Sequence, residues 1–257
     1  MRIHFHLAVV GVQCLIWLGP WQAAKAQESN APAIKPRSAL TTEQVVDNLV
    51  RRNLERAQAL EGYHGTRIYR LEYHGFPVSR SAVMVVDARY KSPATKELTI
   101  RSETGSKPLI ERVLKKLLQT EKEALSEENQ ARVALNNYNY HFALTGYESM
   151  PSGPCYILAV EPRTKNKLLY VGRIWVDAED FAVVRIEAAP AKNPSFWTKE
   201  TRIEQVYAKV GNFWLPISNR STSATRLGGH AHLTIDYQEY EVTASAPLVS
   251  SGKVRGY

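Results

Sequence analysis

Hydrophobic residues recur at helical spacing over residues 42–61, and the charged residues of that segment lie away from this stripe. Thr41 followed three positions later by Gln44 is the capping-box pattern that begins a helix. We expect Gly62 and Gly65 to end it. The predicted apolar stripe consists of Val45, Val46, Leu49, Val50, Leu54, Ala57 and Leu60.

A second helical stripe lies at residues 107–136, and Ser126 is the predicted start of its last part. Lys115 and Lys116 lie opposite its apolar residues. Such a stripe packs onto a sheet in most proteins, whereas the basic face also suits a helix at a membrane surface. Its apolar face is formed by Leu109, Ile110, Val113, Leu114, Leu117 and Leu118.

Apolar and polar residues alternate through most of the remaining chain, which is the pattern of half-buried strands. The alternation covers about 69–103 and then 138–243, broken by turn residues such as Gly153-Pro154 and Gly228-Gly229. About ten antiparallel strands joined by short connections predict an α+β fold. We expect one domain over residues 41–245, a strongly curved open sheet (a half-barrel) covered by a helical lid, and a flexible tail at 246–257.

Residues 1–26 have the features of a cleaved secretory signal. Arg2 precedes the apolar run Leu7 to Leu18, and Ala24-Lys25-Ala26 supplies small residues for a peptidase. A membrane anchor would need about 20 apolar residues, and Pro20 breaks the run before that length is reached. We therefore expect export, cleavage near Ala26, and a disordered lead-in at 27–40.

The composition argues against several functional classes. The formal net charge is +8, but the basic residues are scattered, so nucleic acid is not an expected partner. Loss of Cys14 with the signal leaves Cys155 alone, which we interpret as a buried, inert thiol.

The chain carries no motif of nucleophilic, phosphate-binding or metal-dependent catalysis, so we expect neither an enzyme nor a cofactor nor a metal. The carboxylates Asp177, Glu179 and Asp180 lie between two strands and are interpreted as turn residues. The pair Phe196-Trp197 follows Pro194 and is either an exposed contact site or a plug at the barrel end.

The region from Tyr156 to Tyr240 resembles the LolA/LolB-like periplasmic carriers, the outer-membrane lipoprotein-sorting type, whose relatives include RseB-type stress regulators. The resemblance lies in the strand pattern and in the order of signal, helix, three strands, helical insertion and β-meander. The runs that carry it are Ile157-Leu158-Ala159-Val160-Glu161-Pro162, Gly172-Arg173-Ile174-Trp175-Val176-Asp177, Phe181-Ala182-Val183-Val184-Arg185-Ile186-Glu187 and Phe213-Trp214-Leu215-Pro216.

The resemblance implies a periplasmic, non-enzymatic carrier that binds the acyl chains of a lipid or lipoprotein in a hydrophobic cavity. Its alternative is an RseB-like sensor that detects lipoproteins and signals through a membrane-associated protein partner. We expect a monomer in either case. The predicted ligand-binding positions are Tyr140, Phe142, Leu158, Val160, Ile174, Val176 and Ile186 on the concave face, with Ile110, Leu114 and Leu117 on the lid.

Overall fold

The computed structural model describes residues 40–93, 95–123, 131–166, 168–192, 198–226 and 228–245. The predicted signal peptide, nearly all of the lead-in, the tail, Ser126 and the Phe196-Trp197 pair lie outside these ranges. Within them, no helix has the length and apolar character needed to cross a membrane.

Helix α1 spans Thr42–Ala59 and begins with the predicted capping box. The Gln44 backbone N–H donates to Thr41 Oγ1, and the Thr41 backbone N–H donates to Gln44 Oε1. The helix buries Val45, Val46 and Leu49, but Leu54 is 60% exposed, so the predicted stripe extended too far along the helix.

The prediction that glycines end α1 was wrong. Leu60 already has extended backbone angles and begins the first strand, and both Gly62 and Gly65 lie inside that strand. A Cβ atom on Gly62 would lie 2.6 Å from the Tyr90 carbonyl oxygen, so this glycine permits close approach of the neighbouring strand.

The sheet has ten strands, and every neighbouring pair is antiparallel. They are β1 Leu60–Gly75, β2 Arg80–Lys91, β3 Thr95–Gly105, β4 Tyr140–Met150, β5 Gly153–Pro162, β6 Tyr170–Asp177, β7 Val183–Pro190, β8 Thr198–Val210, β9 Phe213–Thr225 and β10 Gly229–Ala244. The predicted alternation began at residue 138, but Tyr138 precedes β4 and is 85% exposed.

The strand order is β3-β2-β1-β10-β9-β8-β7-β6-β5-β4, so β3 and β4 form the two edges of an open sheet. The helical insertion lies between β3 and β4 in the chain, so it connects the two edge strands of the sheet. The predicted fold class is confirmed: α+β, with a curved antiparallel sheet that does not close into a barrel.

The insertion begins with α2 Lys107–Leu109, continues through a π-helical turn at Ile110–Leu114, and ends its described part with α3 Lys115–Glu123. Residues 131–133 are also helical. Five of the six residues of the predicted stripe are buried, and Leu109 is half-buried. The apolar face of the insertion is therefore packed on the sheet.

Both ends of helix α1 are hydrogen-bonded to the half of the sheet that contains β4–β7. At its start, the Leu144 backbone N–H of β4 donates to Thr42 Oγ1 at 3.1 Å. Near its end, the Arg56 guanidinium donates to the carbonyl oxygens of Asp180 and Phe181, at 2.8 and 3.0 Å, in the turn between β6 and β7.

Candidate functional site

Both helical segments lie on the same face of the sheet, which we call the inner face. Residues directly paired across antiparallel strands point to the same side, and one row of such pairs runs from edge to edge. From β4 to β3 this row consists of Leu144, Leu158, Ile174, Ile186, Gln205, Asn219, Ile235, Tyr69, Met84 and Glu103.

The apolar residues of the inner face form two separate clusters rather than one. The α1 cluster joins α1 to strands β4–β7. Its fully buried members are Val45, Val46, Leu49, Tyr140, Leu158, Val160, Leu169, Tyr170, Ile174, Val176, Ile186 and Ala188.

The α3 cluster joins the helical insertion to β10, β1 and β2, on the other half of the same face. Its buried members are Tyr69, Leu71, Tyr73, Ala82, Met84, Val86, Ile110, Val113, Leu114, Leu117, Leu118, Ala231, Leu233, Ile235 and Tyr237.

The structure divides the predicted ligand-binding positions between these clusters. Ile110, Leu114 and Leu117 are fully buried in the α3 cluster. The other seven lie in the α1 cluster, where Phe142 is half-buried and the remaining six are buried against α1 and one another. The lid positions thus lie beside β1, β2 and β10, on the other half of the inner face from the seven predicted concave-face positions.

Strands β8 and β9 separate the two clusters with a polar stripe on the inner face. Seven of its side chains are polar and all are between 1% and 8% exposed, with Ile203 as an apolar member among them. The polar members are Thr198, Thr201, Gln205, Asn219, Ser221, Ser223 and Thr225.

The members of this polar stripe differ in how their hydrogen bonds are completed. Thr201 and Ser223 are paired with each other, oxygen to oxygen at 2.9 Å, and Thr225 Oγ1 donates to the Gly229 carbonyl. Asn219 Nδ2 donates to Gln205 Oε1. Gln205 Nε2 and Asn219 Oδ1, however, have no hydrogen-bond partner within the described part of the chain.

A buried charge network attaches α3 to the sheet beside the α3 cluster. Arg67 Nη1 of β1 lies 2.8 Å from both carboxylate oxygens of Glu121, and Lys96 Nζ of β3 lies 2.5 Å from one of them. Burial alone would raise the pKa of Glu121, but the charges of Arg67 and Lys96 outweigh burial and lower the pKa to about 2. The carboxylate therefore stays ionised beneath the helix.

The outer face carries a small cluster of its own, formed by Cys155, Trp175 and Val184. Burial raises the pKa of Cys155 to about 11, in keeping with an inert thiol. Asp177 Oδ1 accepts from the backbone N–H groups of Glu179 and Asp180, so these carboxylates are turn residues, as predicted.

Sequence reasoning missed the polar stripe and the charge network. Around Gln205 and Asn219, polar residues occupy both faces of β8 and β9, so alternation of hydropathy does not indicate which side is buried. The residues of the charge network, Arg67, Lys96 and Glu121, are far apart in the chain. Each element contributes one residue to the network, and one residue alone cannot show a spacing pattern. The available signal was the position of Glu121, which continues the apolar stripe of Leu117 and Leu118 at helical spacing.

Neither a known protein family nor a curated protein matches this chain by sequence. Among solved structures, it is similar to a putative outer membrane lipoprotein-sorting protein domain from Vibrio parahaemolyticus, at 10% identity and TM-score 0.44, over 81% of this chain and 96% of that one. It is also similar to a LolA superfamily protein from Nitrosomonas europaea, at 12% identity and TM-score 0.36, over 81% and 96%.

A DUF1329 family protein from Desulfovibrio piger also matches, at 13% identity and TM-score 0.42, over 80% of this chain and 95% of that one. The superfamily named from the strand pattern is thus among the structural matches, and the predicted resemblance is confirmed as a resemblance. At such low identities and TM-scores, these matches assign neither ligand nor function to the chain.

Proposed function

We propose that this protein is a periplasmic, non-enzymatic carrier that binds the acyl chains of a lipid or lipoprotein on its inner face and transfers them toward the outer membrane. The observation that carries the proposal is the division of the inner face. A domain of this size ordinarily has one contiguous core. Here two apolar clusters, each covered by its own helical segment, are separated by a buried polar stripe.

Half-buried apolar side chains border both clusters and supply surface for an acyl chain. Leu98 and Ile100 border the α3 cluster, and Phe142, Leu144 and Tyr207 border the α1 cluster. Burying a methylene group contributes about 0.8 kcal/mol. A carrier must therefore enclose most of the acyl chain if it is to compete with the membrane that donated the chain. A sheet covered by two helical segments is suited to that enclosure.

The predicted ligand positions then divide into two roles. The six fully buried members in the α1 cluster form the floor beneath the chain, and Phe142 at its border contacts the chain directly. The lid positions Ile110, Leu114 and Leu117 close the opposite half. The charge network at Glu121 holds that lid on the sheet.

Binding is tested with pyrene-labelled dodecanoic acid titrated into the purified full chain, produced in a two-membrane bacterium. We expect saturable binding, about tenfold weaker for Phe142→Asn, because burying a Phe side chain contributes about 1.5–3 kcal/mol. Phe76→Asn is the matched control, since Phe76 lies beyond the end of β1 and is 78% exposed. Parent protein that neither binds the probe nor co-purifies with lipid would refute the proposal.

The alternative, an RseB-like sensor with a protein partner, is separated from the carrier by transfer. A carrier accelerates movement of pyrene-labelled phospholipid from donor to acceptor vesicles. A sensor binds the same lipid without accelerating its transfer and is recovered in stoichiometric complex with one protein, as native mass spectrometry would show.

A further inference from the structure

The Gln205–Asn219 pair has hydrogen-bonding capacity that nothing in the described protein uses. Both side chains are 1% exposed, and both lie on the inner face between Ile186 of the α1 cluster and Ile235 of the α3 cluster. Leaving a buried donor or acceptor unpaired costs about 1–3 kcal/mol, which is why such groups normally have partners. Here one of each is left over in the same hydrogen-bonded pair.

The unused capacity does not depend on how the amide groups are oriented. Asn219 Nδ2 donates to Gln205 Oε1, which leaves Gln205 Nε2 as a donor and Asn219 Oδ1 as an acceptor. If both amides were turned over, the direction of the bond would reverse. One amino group and one carbonyl oxygen would still remain, so in either orientation the pair has one free donor and one free acceptor.

We propose that this pair recognises a secondary amide that carries an apolar chain, an N-acyl group of the ligand. A secondary amide has an N–H, which can donate to the free carbonyl oxygen, and a C=O, which can accept from the free amino group. An ester offers only acceptors and would leave the free carbonyl of the pair unsatisfied. This inference rests on the proposed acyl-binding function and names the chemical group that it would select.

The surroundings of the pair favour such a ligand. The apolar clusters on either side suit the hydrocarbon attached to the amide. Because the pair is removed from water, a hydrogen bond made there does not compete with solvent, and an unmatched group is penalised. The neighbouring pair Thr201 and Ser223 is already satisfied internally, so within the stripe the free donor and acceptor are concentrated at Gln205 and Asn219.

The test compares two probes of identical chain length, the N-methylamide and the methyl ester of pyrene-labelled dodecanoic acid, by fluorescence titration. We expect the parent to bind the amide at least tenfold more tightly, since a site built to pair with an N–H rejects an analogue that lacks it. The double variant Gln205→Met/Asn219→Leu should bind the two probes about equally. The control variant Thr201→Val/Ser223→Ala should keep the preference.

The outcomes separate this inference from the proposed function. A parent that binds both probes equally well would overturn the amide inference and leave acyl binding standing. A parent that binds neither of these probes, does not bind pyrene-labelled dodecanoic acid and does not co-purify with lipid would refute the proposed function itself. If the double variant does not fold, the parent's preference and the single variant Gln205→Met decide, and unchanged preference in that variant would also overturn the inference.

Discussion

Glu121→Gln is the substitution that most directly tests how the helical insertion is held on the sheet. Glutamine keeps the size of the side chain but leaves Arg67 and Lys96 facing each other without a carboxylate. The Glu121 side chain is 17% exposed, and those of Arg67 and Lys96 are 5% and 11% exposed. Solvent therefore screens the uncompensated charges only weakly.

Two estimates of the free energy of unfolding lost in this substitution agree. Lowering the pKa of Glu121 from 4.5 to about 2 corresponds to about 3 kcal/mol of stability, because one pKa unit equals about 1.4 kcal/mol. Removal of one partner from a buried pair typically costs about 3–5 kcal/mol. We expect the free energy of unfolding at pH 7 to fall by about 3 kcal/mol.

The assay is urea denaturation followed by circular dichroism, with Glu111→Gln as control. Glu111 lies on the same helical segment and pairs with Lys115, but its side chain is 59% exposed, so its loss should change stability by less than about 0.5 kcal/mol. Because the folded-state pKa of Glu121 is depressed, its contribution is complete above pH 4.5 and is lost as the pH falls toward 2. Equal stability of the two variants at pH 7 would refute the reasoning.

Three further predictions concern the fold and the compartment. Gly62→Ala places a Cβ atom 2.6 Å from the Tyr90 carbonyl oxygen, so we expect a loss of about 1–3 kcal/mol in urea denaturation; an unchanged midpoint would contradict the close packing of β1 and β2. Thr41→Ala removes the hydroxyl that caps α1 and should cost about 1 kcal/mol in the same assay, whereas Thr41→Ser should restore most of it. N-terminal sequencing of the exported protein should begin near Gln27, and a start inside the predicted domain would refute the proposed cleavage site.

Local sequence patterns were sufficient to predict most of the helices and strands. The capping residues at Thr41 and Gln44, the stripe of α1 and the alternation along the strands are properties of short segments, and the structure confirms them. Where the prediction failed, contacts with residues outside the segment determined the local structure. Helix α1 ends at Ala59, before Gly62, because Leu60 already pairs with Ala244 of β10. Leu54 is exposed because only the first half of α1 is buried against the sheet.

The sequence by itself determined the elements, their order and, outside β8 and β9, which faces are apolar, because helix and strand periodicity is a property of neighbouring residues. The tertiary structure decided which faces meet. It placed Ile110, Leu114 and Leu117 in a different cluster from Leu158 and Ile174.

Strand pairing brings Gln205 beside Asn219. Packing of α3 on the sheet brings Glu121 beside Arg67 and Lys96. Burial and the partner of a polar group depend on residues distant in the chain. No local pattern contains that information.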